Sequence, residues 1–272
     1  MKKSVLTLLL SAIILASSIV GCTINKANPE ETMDSTTELE CLVKKGKLLC
    51  GTEVGYYPME FYDDSGTAVG LDIDVANEVG KRLGLEVEII DTAWEGIFSG
   101  LDTRRYDIIF GVTVTPERAK EMSFSNTYIE SWQSIVTKKG SIDISSIQDI
   151  AGLKVGYLGG ATSDEILNDL IASGTVNCQT FSYEKVIYAF DDLKFGRIDA
   201  VFCDSIVADG YIEKDNDFVI AWSQKDDGTI EAEKIGAAIR LNNTELLEAV
   251  NNVLNDMEND GTLDRIRKEW LC

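Results

Sequence analysis

The sequence predicts an α/β fold in two lobes of similar size. Three observations carry that expectation. Short apolar runs alternate with helical stripes from residue 47 onward, and the alternation starts afresh at Lys154 after a first pass that ends near Arg118. The chain has 272 residues, with 44% apolar and 8% aromatic side chains. That is enough for one large or two medium cores, and it excludes a disordered chain. Strands interleaved with helices imply parallel sheets covered by helices.

The elements follow in order. Lys47–Thr52 is a short apolar run closed by Gly-Thr, and Leu71–Leu83 carries apolar residues at 75, 76, 79 and 83 before Gly84 ends it. Val87–Ile90 is a strand; Trp94–Leu101 is a short helix with Trp94, Ile97, Phe98 and Leu101 on one face. Asp107–Val112 is a third strand. Thr115-Pro116-Glu117-Arg118 then opens a helix, with a capping threonine and proline at the first helical position. In the second pass Lys154–Leu158 is a strand. Thr162 and Glu165 have capping-box spacing ahead of Ile166, Leu167, Leu170 and Ile171. Val176–Phe181 is a strand, Glu184–Leu193 a helix and Asp199–Cys203 a strand. A strand at Lys234–Arg240 and helices at Thr244–Met257 and Thr262–Trp270 complete the chain.

Charge and composition exclude several functions. There are 46 acidic and 25 basic side chains, a formal net charge of −21, and no histidine. Binding phosphate backbones needs a basic stripe that so acidic a chain lacks. Without histidine there is no Ser-His-Asp or Cys-His nucleophile and no HExxH zinc site. The cysteines form no CxxC pair, so no metal is expected. The loop Val155–Thr162 has neither GxGxxG nor GK[ST] and is not a nucleotide site.

Residues 1–21 read as an address. Lys2 and Lys3 precede an interrupted apolar stretch from Val5 to Val20, too short for a comfortable membrane span. Ile19-Val20-Gly21-Cys22 resembles a bacterial lipobox, which implies lipid attachment at Cys22. Residues 22–38 are polar and read as a flexible tether. No later segment is long and apolar enough to span a membrane, so the domain is expected outside the cell membrane, anchored at one end. There a disulfide is permitted, and Cys41–Cys272 and Cys41–Cys50 are the first pairings to test among Cys41, Cys50, Cys178, Cys203 and Cys272.

Open α/β sheets bind ligands beyond the carboxyl ends of their strands. The residues at those ends are Glu53 to Tyr57, Gly111 to Arg118, Leu158 to Ser163, and Cys203 with Asp204. An arginine early in a helix, a second helix start at Thr162, a facing carboxylate and the aromatics Tyr56, Tyr57 and Trp94 together suit an α-amino acid.

The motifs GTEVGYYPMEF (51–61), VGLDIDVANEVGKRLG (69–84), the segment 91–128 with its TVTPER, FGRIDAVFCD (195–204) and DGTLDRIRKEWL (260–271) occur in this order. From about residue 40 to the end the chain resembles the family 3 extracellular solute-binding proteins, receptors of amino-acid ABC importers. The resemblance implies a type II periplasmic-binding-protein-like fold, with two parallel-rich sheets joined by a two-strand hinge. Lobe 1 would be 39–130 and 233–272 and lobe 2 131–232, with hinges at Ile129–Trp132 and Ala232–Ile235. It implies that Arg118 clamps a ligand carboxylate with the main-chain N–H groups of Thr113 and Thr162. Asp204 would receive the ammonium with Gly111 and Thr113, Tyr56 and Trp94 would flank the side chain, Glu53 would touch its far end, and Leu158 and Ala161 would belong to the lobe 2 wall. Lysine, arginine, glutamine or a cystine-like ligand is favoured. The implied partners are a permease and its ATPase, with no cofactor and a monomeric receptor. Tyr57 and Met59 depart from the commoner pattern around Pro58, and Cys203 beside Asp204 is a second unusual feature close to the expected ligand. The competing readings are a dehydratase-type enzyme offshoot of the fold and an amino-acid sensor acting in trans.

Overall fold

The computed structural model describes residues 37–226 and 231–271. The signal segment, Cys22, most of the expected tether and Cys272 lie outside the described residues.

The first described element is unexpected. Thr37 caps α1 (Glu38–Lys45), whose capping box pairs the Thr37 hydroxyl with the Glu40 N–H and the Glu40 carboxylate with the Thr37 N–H. Thr37 and Glu38 therefore belong to the folded domain, not to the tether. The chain continues through β1 (Lys47–Thr52), the hairpin of β2 (Phe61–Tyr62) and β3 (Ala68–Val69), α2 (Leu71–Leu83), β4 (Glu86–Asp91), a 3-10 turn at Trp94–Gly96 and α3 (Ile97–Asp102). Next come β5 (Ile108–Thr113), β6 (Met122–Phe124) and β7 (Ile129–Ser131). The second sheet is then built from β8 (Gln133–Lys138), β9 (Lys154–Leu158), α4 (Thr162–Ala172), β10 (Gln179–Tyr183), α5 (Val186–Lys194), β11 (Ala200–Asp204), α6 (Ser205–Lys214) and β12 (Phe218–Ser223). The chain returns to the first sheet as β13 (Glu233–Arg240) and ends in α7 (Thr244–Asn259) and α8 (Thr262–Trp270).

The first sheet has the order β4-β1-β5-β13-β6, with β7 also paired to β13; the second runs β10-β9-β11-β8-β12. Both are mixed rather than parallel. β1, β4 and β5 are parallel, as are β9, β10 and β11, while β13 and β8 run against their neighbours. The reason is connectivity. β7 belongs to the first sheet and β8 to the second with only Trp132 between them, and β13 brings the chain back alongside β7. Strands that cross between sheets enter each one from the end opposite to its βαβ units.

Period-two burial explains the layering. In β1, Leu48 and Cys50 enter a core with α2, α7 and α8, joined by Ile108 and Phe110 of β5, while Ile109 faces the opposite side with Ile97 and Leu101 of α3; the irregularity at Gly111 then returns Val112 to that opposite side. Leu71, Val75 and Val79 of α2 meet Leu246, Val250 and Leu254 of α7 in the first of these cores. In the second lobe, Leu167 of α4 packs with Ile135, Val155 and Phe202, and Phe190 of α5 with Val136 and Val201 on the other face. Each such buried side chain contributes about 1.5–3 kcal/mol of transfer free energy.

Several local expectations are corrected. Residues 115–121 form no α-helix; Arg118–Lys120 is a single 3-10 turn, because β6 already begins at Met122. Thr162 is not a capping residue. It is the first residue of α4, whose N-cap Ala161 has no side-chain cap, and its hydroxyl is engaged elsewhere. The strand expected at 176–181 lies at Gln179–Tyr183. Among the described residues Cys41, Cys50, Cys178 and Cys203 are unpaired, so the Cys41–Cys50 bridge is absent; the Cys41–Cys272 pairing involves a residue outside the described ones. No described helix is long and apolar enough to cross a membrane.

Candidate ligand-binding site

The carboxyl ends of the parallel strands of both sheets converge on one cleft. Glu53 follows β1, Thr113 ends β5, Leu158 ends β9 and Asp204 ends β11. Between the lobes lies a narrow cavity lined by Glu53, Tyr56, Trp94, Gly111, Thr113, Arg118, Leu158, Ala161, Thr162 and Asp204 together with Glu60. The ten residues singled out from the sequence thus share one wall-to-wall space, and Glu60 joins them.

Arg118 is 6% exposed. Its guanidinium donates to the Thr113 carbonyl at 3.1 Å and to the Gly160 carbonyl at 3.2 Å, and lies 3.4 Å from Glu165 Oε1. Its central carbon sits 5.8 Å from the Trp94 ring centroid and 5.3 Å from that of Phe98. The 3-10 turn supplies position rather than a helix dipole; Thr115 Oγ1 accepts the Arg118 N–H at 3.2 Å and fixes it. Burial pulls the Arg118 guanidinium down from its ordinary value, against the opposing pull of Glu165, Asp204 and Glu233. A guanidinium nonetheless stays charged throughout the accessible pH range.

Asp204 accepts hydrogen bonds from the Tyr56 hydroxyl at 2.7 Å and from Gln133 Nε2 at 2.6 Å. Burial raises its pKa, and these two donors and Arg118 work against the rise. The Tyr56 bond crosses the cleft. So does the Trp94 indole, which donates to the Gly160 carbonyl at 3.0 Å. Gln133, the first residue of β8, ties the crossing strands to the site: its Nε2, with two hydrogens to share, also lies 3.2 Å from Thr162 Oγ1 and 3.0 Å from Glu233 Oε2. The Thr162 hydroxyl donates to the same Glu233 oxygen at 3.1 Å.

The remaining acids are strained by burial. Glu53 is 1% exposed, neither of its oxygens has a hydrogen-bond partner, and Lys185 Nζ approaches Oε1 only to 3.5 Å, an ion pair rather than a hydrogen bond. Burial pushes its carboxyl up to about 7, although Lys185 pulls the other way. Burial and then the neighbouring Asp72 raise Glu60 well above the ordinary glutamate range. Asp72 rises to about 6 by burial, moderated by the Tyr128 hydroxyl donating at 2.6 Å. That tyrosine accepts the Gly111 N–H at 2.6 Å. Gly111 has φ +76°, and a Cβ there would run into the Asp72 carboxylate, so only glycine fits. Glu233 is likewise raised to about 7, by burial and then by Asp204.

Those carboxyls imply a pH dependence. Their folded values lie above the ordinary 4.5 of glutamate or 3.8 of aspartate. The folded state therefore holds more protons than the unfolded state between about pH 4.5 and 7, and stability falls as pH rises through that window. Melting temperatures of the ligand-free protein between pH 4.5 and 8 should decline; a rise across the same range would show that these acids are not buried unpartnered.

Sequence reasoning did not single out Glu60, Gln133, Lys185 or Glu233 as site residues, while Gly160 lies inside the Leu158–Ser163 strand end it named. Glu60 had a local signal, since the turn that places Tyr56 also returns the chain to a bridge at Glu60. The others meet the site only through contacts distant in sequence. Cys203, expected near the ligand, is 1% exposed and packs in the apolar core beneath Asp204 rather than on the cavity. Met59 is buried in the first core, and Tyr57 turns outward onto α6, its ring 3.2 Å below Lys214 Nζ.

Two lobes on mixed sheets, crossed by two strands and closed over a cleft charged with both signs, define a two-lobed solute receptor. The chain belongs to the bacterial extracellular solute-binding proteins, family 3, whose model matches residues 48–272. It is similar to the L-cystine-binding protein TcyJ of Escherichia coli (strain K12), with 32% identity over 230 residues, covering 84% of each chain. It is equally similar to the arginine-binding extracellular protein ArtP of Bacillus subtilis (strain 168), 32% identical over 232 residues, covering 84% of this chain and 87% of that one. Among solved structures, an ancestral arginine-binding protein bound to arginine superposes with a TM-score of 0.77 at 36% identity, covering 84% of this chain and 99% of the other. A P235GK mutant of ArgBP from T. maritima gives 0.79 at 33% identity, covering 85% and 98%.

Proposed function

We propose that the cavity holds a polar amino acid whose side chain ends in a cationic or donor-rich group. The chain is the amino-acid-binding component of an ABC transporter and is not an enzyme. The observation that carries the finer reading is the charge on the cavity wall. Arg118 is matched to an α-carboxylate and Asp204 to an α-ammonium, and both oxygens of the buried Glu53 and Oε2 of the buried Glu60 are left without donors. A guanidinium, an ammonium or an amide supplies those donors; a ligand carboxylate would add repulsion. Lysine, arginine, glutamine and a cystine-like molecule fit this chemistry, and the arginine- and cystine-binding relatives support it.

Mechanistically, the ligand enters between lobe 1 (39–130 and 233–272) and lobe 2 (131–232), with the crossing strands as the hinge. Closure is favoured by contacts available only when both walls meet the ligand. Arg118 belongs to one wall; Thr162 and Asp204 belong to the other. In our reading Cys22 carries the lipid that keeps the receptor beside its permease. A thermal-shift screen against the amino acids tests the ligand. Stabilisation follows mass action, about 2.7 kcal/mol at a hundredfold excess over Kd. Arginine, lysine, glutamine or cystine should raise the melting temperature, and stabilisation by glutamate or aspartate alone would defeat the reading of Glu53 and Glu60.

A further inference from the structure

Lys185 is a cation in the wrong lobe for its partners. It immediately precedes α5 of the second sheet, yet every acceptor within its reach lies on the first. Its Nζ donates to the Val54 carbonyl at 2.7 Å and lies 3.5 Å from Glu53 Oε1 and 3.8 Å from Asp91 Oδ2. Asp91 is held independently of it: the Val54 N–H donates to Asp91 Oδ1 at 3.0 Å and the Tyr62 hydroxyl to Asp91 Oδ2 at 3.2 Å. Glu53 has no such second partner. The Lys185 stem packs at Gly55, where an added Cβ would lie 3.3 Å from its Cδ.

The hydrogen bond to Val54 fixes the ammonium without using up Glu53. Glu53 is thereby part-neutralised from behind while both its oxygens remain without a hydrogen-bond donor. A ligand ammonium or guanidinium brought to Glu53 would share that carboxylate with a fixed like charge, whereas a neutral amide would bring donors and no charge. Building repulsion against one class of ligand is a common route to selectivity.

We propose that Lys185 is a specificity-determining residue, a cation from the second lobe that offsets Glu53 and sets the preference between cationic and neutral side chains. It acts through Glu53 and so positions charge rather than touching the cavity itself. The proposal rests on the reading of the cavity as an amino-acid site.

The test is titration calorimetry of the protein with L-arginine, L-lysine and L-glutamine. Lys185→Gln keeps a donor for the Val54 carbonyl and removes the charge. It should shift the arginine-to-glutamine affinity ratio about tenfold toward arginine, and the lysine ratio likewise. Lys185→Arg, which keeps the charge, should retain the wild-type ratio. Using the ratio cancels any general effect on closure or folding. Equal changes for all three ligands would make Lys185 a simple tie between lobes and overturn the proposal, as would a shift in Lys185→Arg matching that of Lys185→Gln. Wild-type protein that binds none of the three overturns the lysine's role, and failure of L-cystine in the same titration overturns the amino-acid reading as well; wild-type binding with a ratio that Lys185→Gln leaves fixed overturns the lysine's role alone.

Discussion

Arg118→Ala should reduce amino-acid affinity more than a hundredfold while the protein still unfolds cooperatively. The loss comes from a buried fork that no other cavity residue replaces; Arg118 is the one basic side chain on the cavity wall. Hydrogen bonds to charged groups contribute about 1.5–3 kcal/mol each, so two of them exceed the roughly 2.8 kcal/mol of a hundredfold change. Folding tolerates the change because burial already disfavours the charged form, so removing it relieves a desolvation cost as it frees the Thr113 and Gly160 carbonyls. Arg118→Lys restores charge but not the planar fork and should recover only part of the affinity. Calorimetry beside chemical unfolding checks both halves. Affinity within threefold of wild type would remove Arg118 from the ligand's carboxylate.

The second large effect is expected at Asp204. Asp204→Asn keeps the outline of the side chain but loses the charge that we propose faces the ligand's α-ammonium. It also creates a conflict. Asp204 now accepts from both Tyr56 and Gln133, and an amide can offer an oxygen to only one of them. We expect about a hundredfold weaker binding of α-amino acids, from one charge-assisted bond and one unsatisfied donor. Analogues that lack the α-ammonium should lose far less, since only the second term applies to them. Equal losses for both ligand types in competition titrations would place the ammonium elsewhere.

How much of this was legible in advance varies with the range of the interaction. α2 and α8 were readable to the residue, because an apolar stripe and a terminal glycine or a following break are local signals. α1 was missed although Thr37 and Glu40 carry its capping box; it buries only Leu42, so its stripe is too thin to register. The Thr115–Arg118 segment looked like a helix start by the same local rules. It fails to become one because the next four residues must deliver the chain to β6, paired with β13 more than a hundred residues away. At Thr162 the local capping pattern lost to Gln133 and Glu233, which claim the hydroxyl from the crossing strands.

The sequence by itself determined the alternating elements and the strand ends on which a site must be built, because periodicity and strand termini are encoded within a few neighbours; the choice of ten wall residues among them came from the resemblance of its motifs to a known family. Tertiary structure alone decided what surrounds that wall. The mixed strand directions, the Gln133 hub, the Glu60–Asp72 acid pair and the reach of Lys185 to Glu53 all depend on closing loops of tens to hundreds of residues. Burial then sets their charge state, and burial is a property no short stretch of sequence possesses.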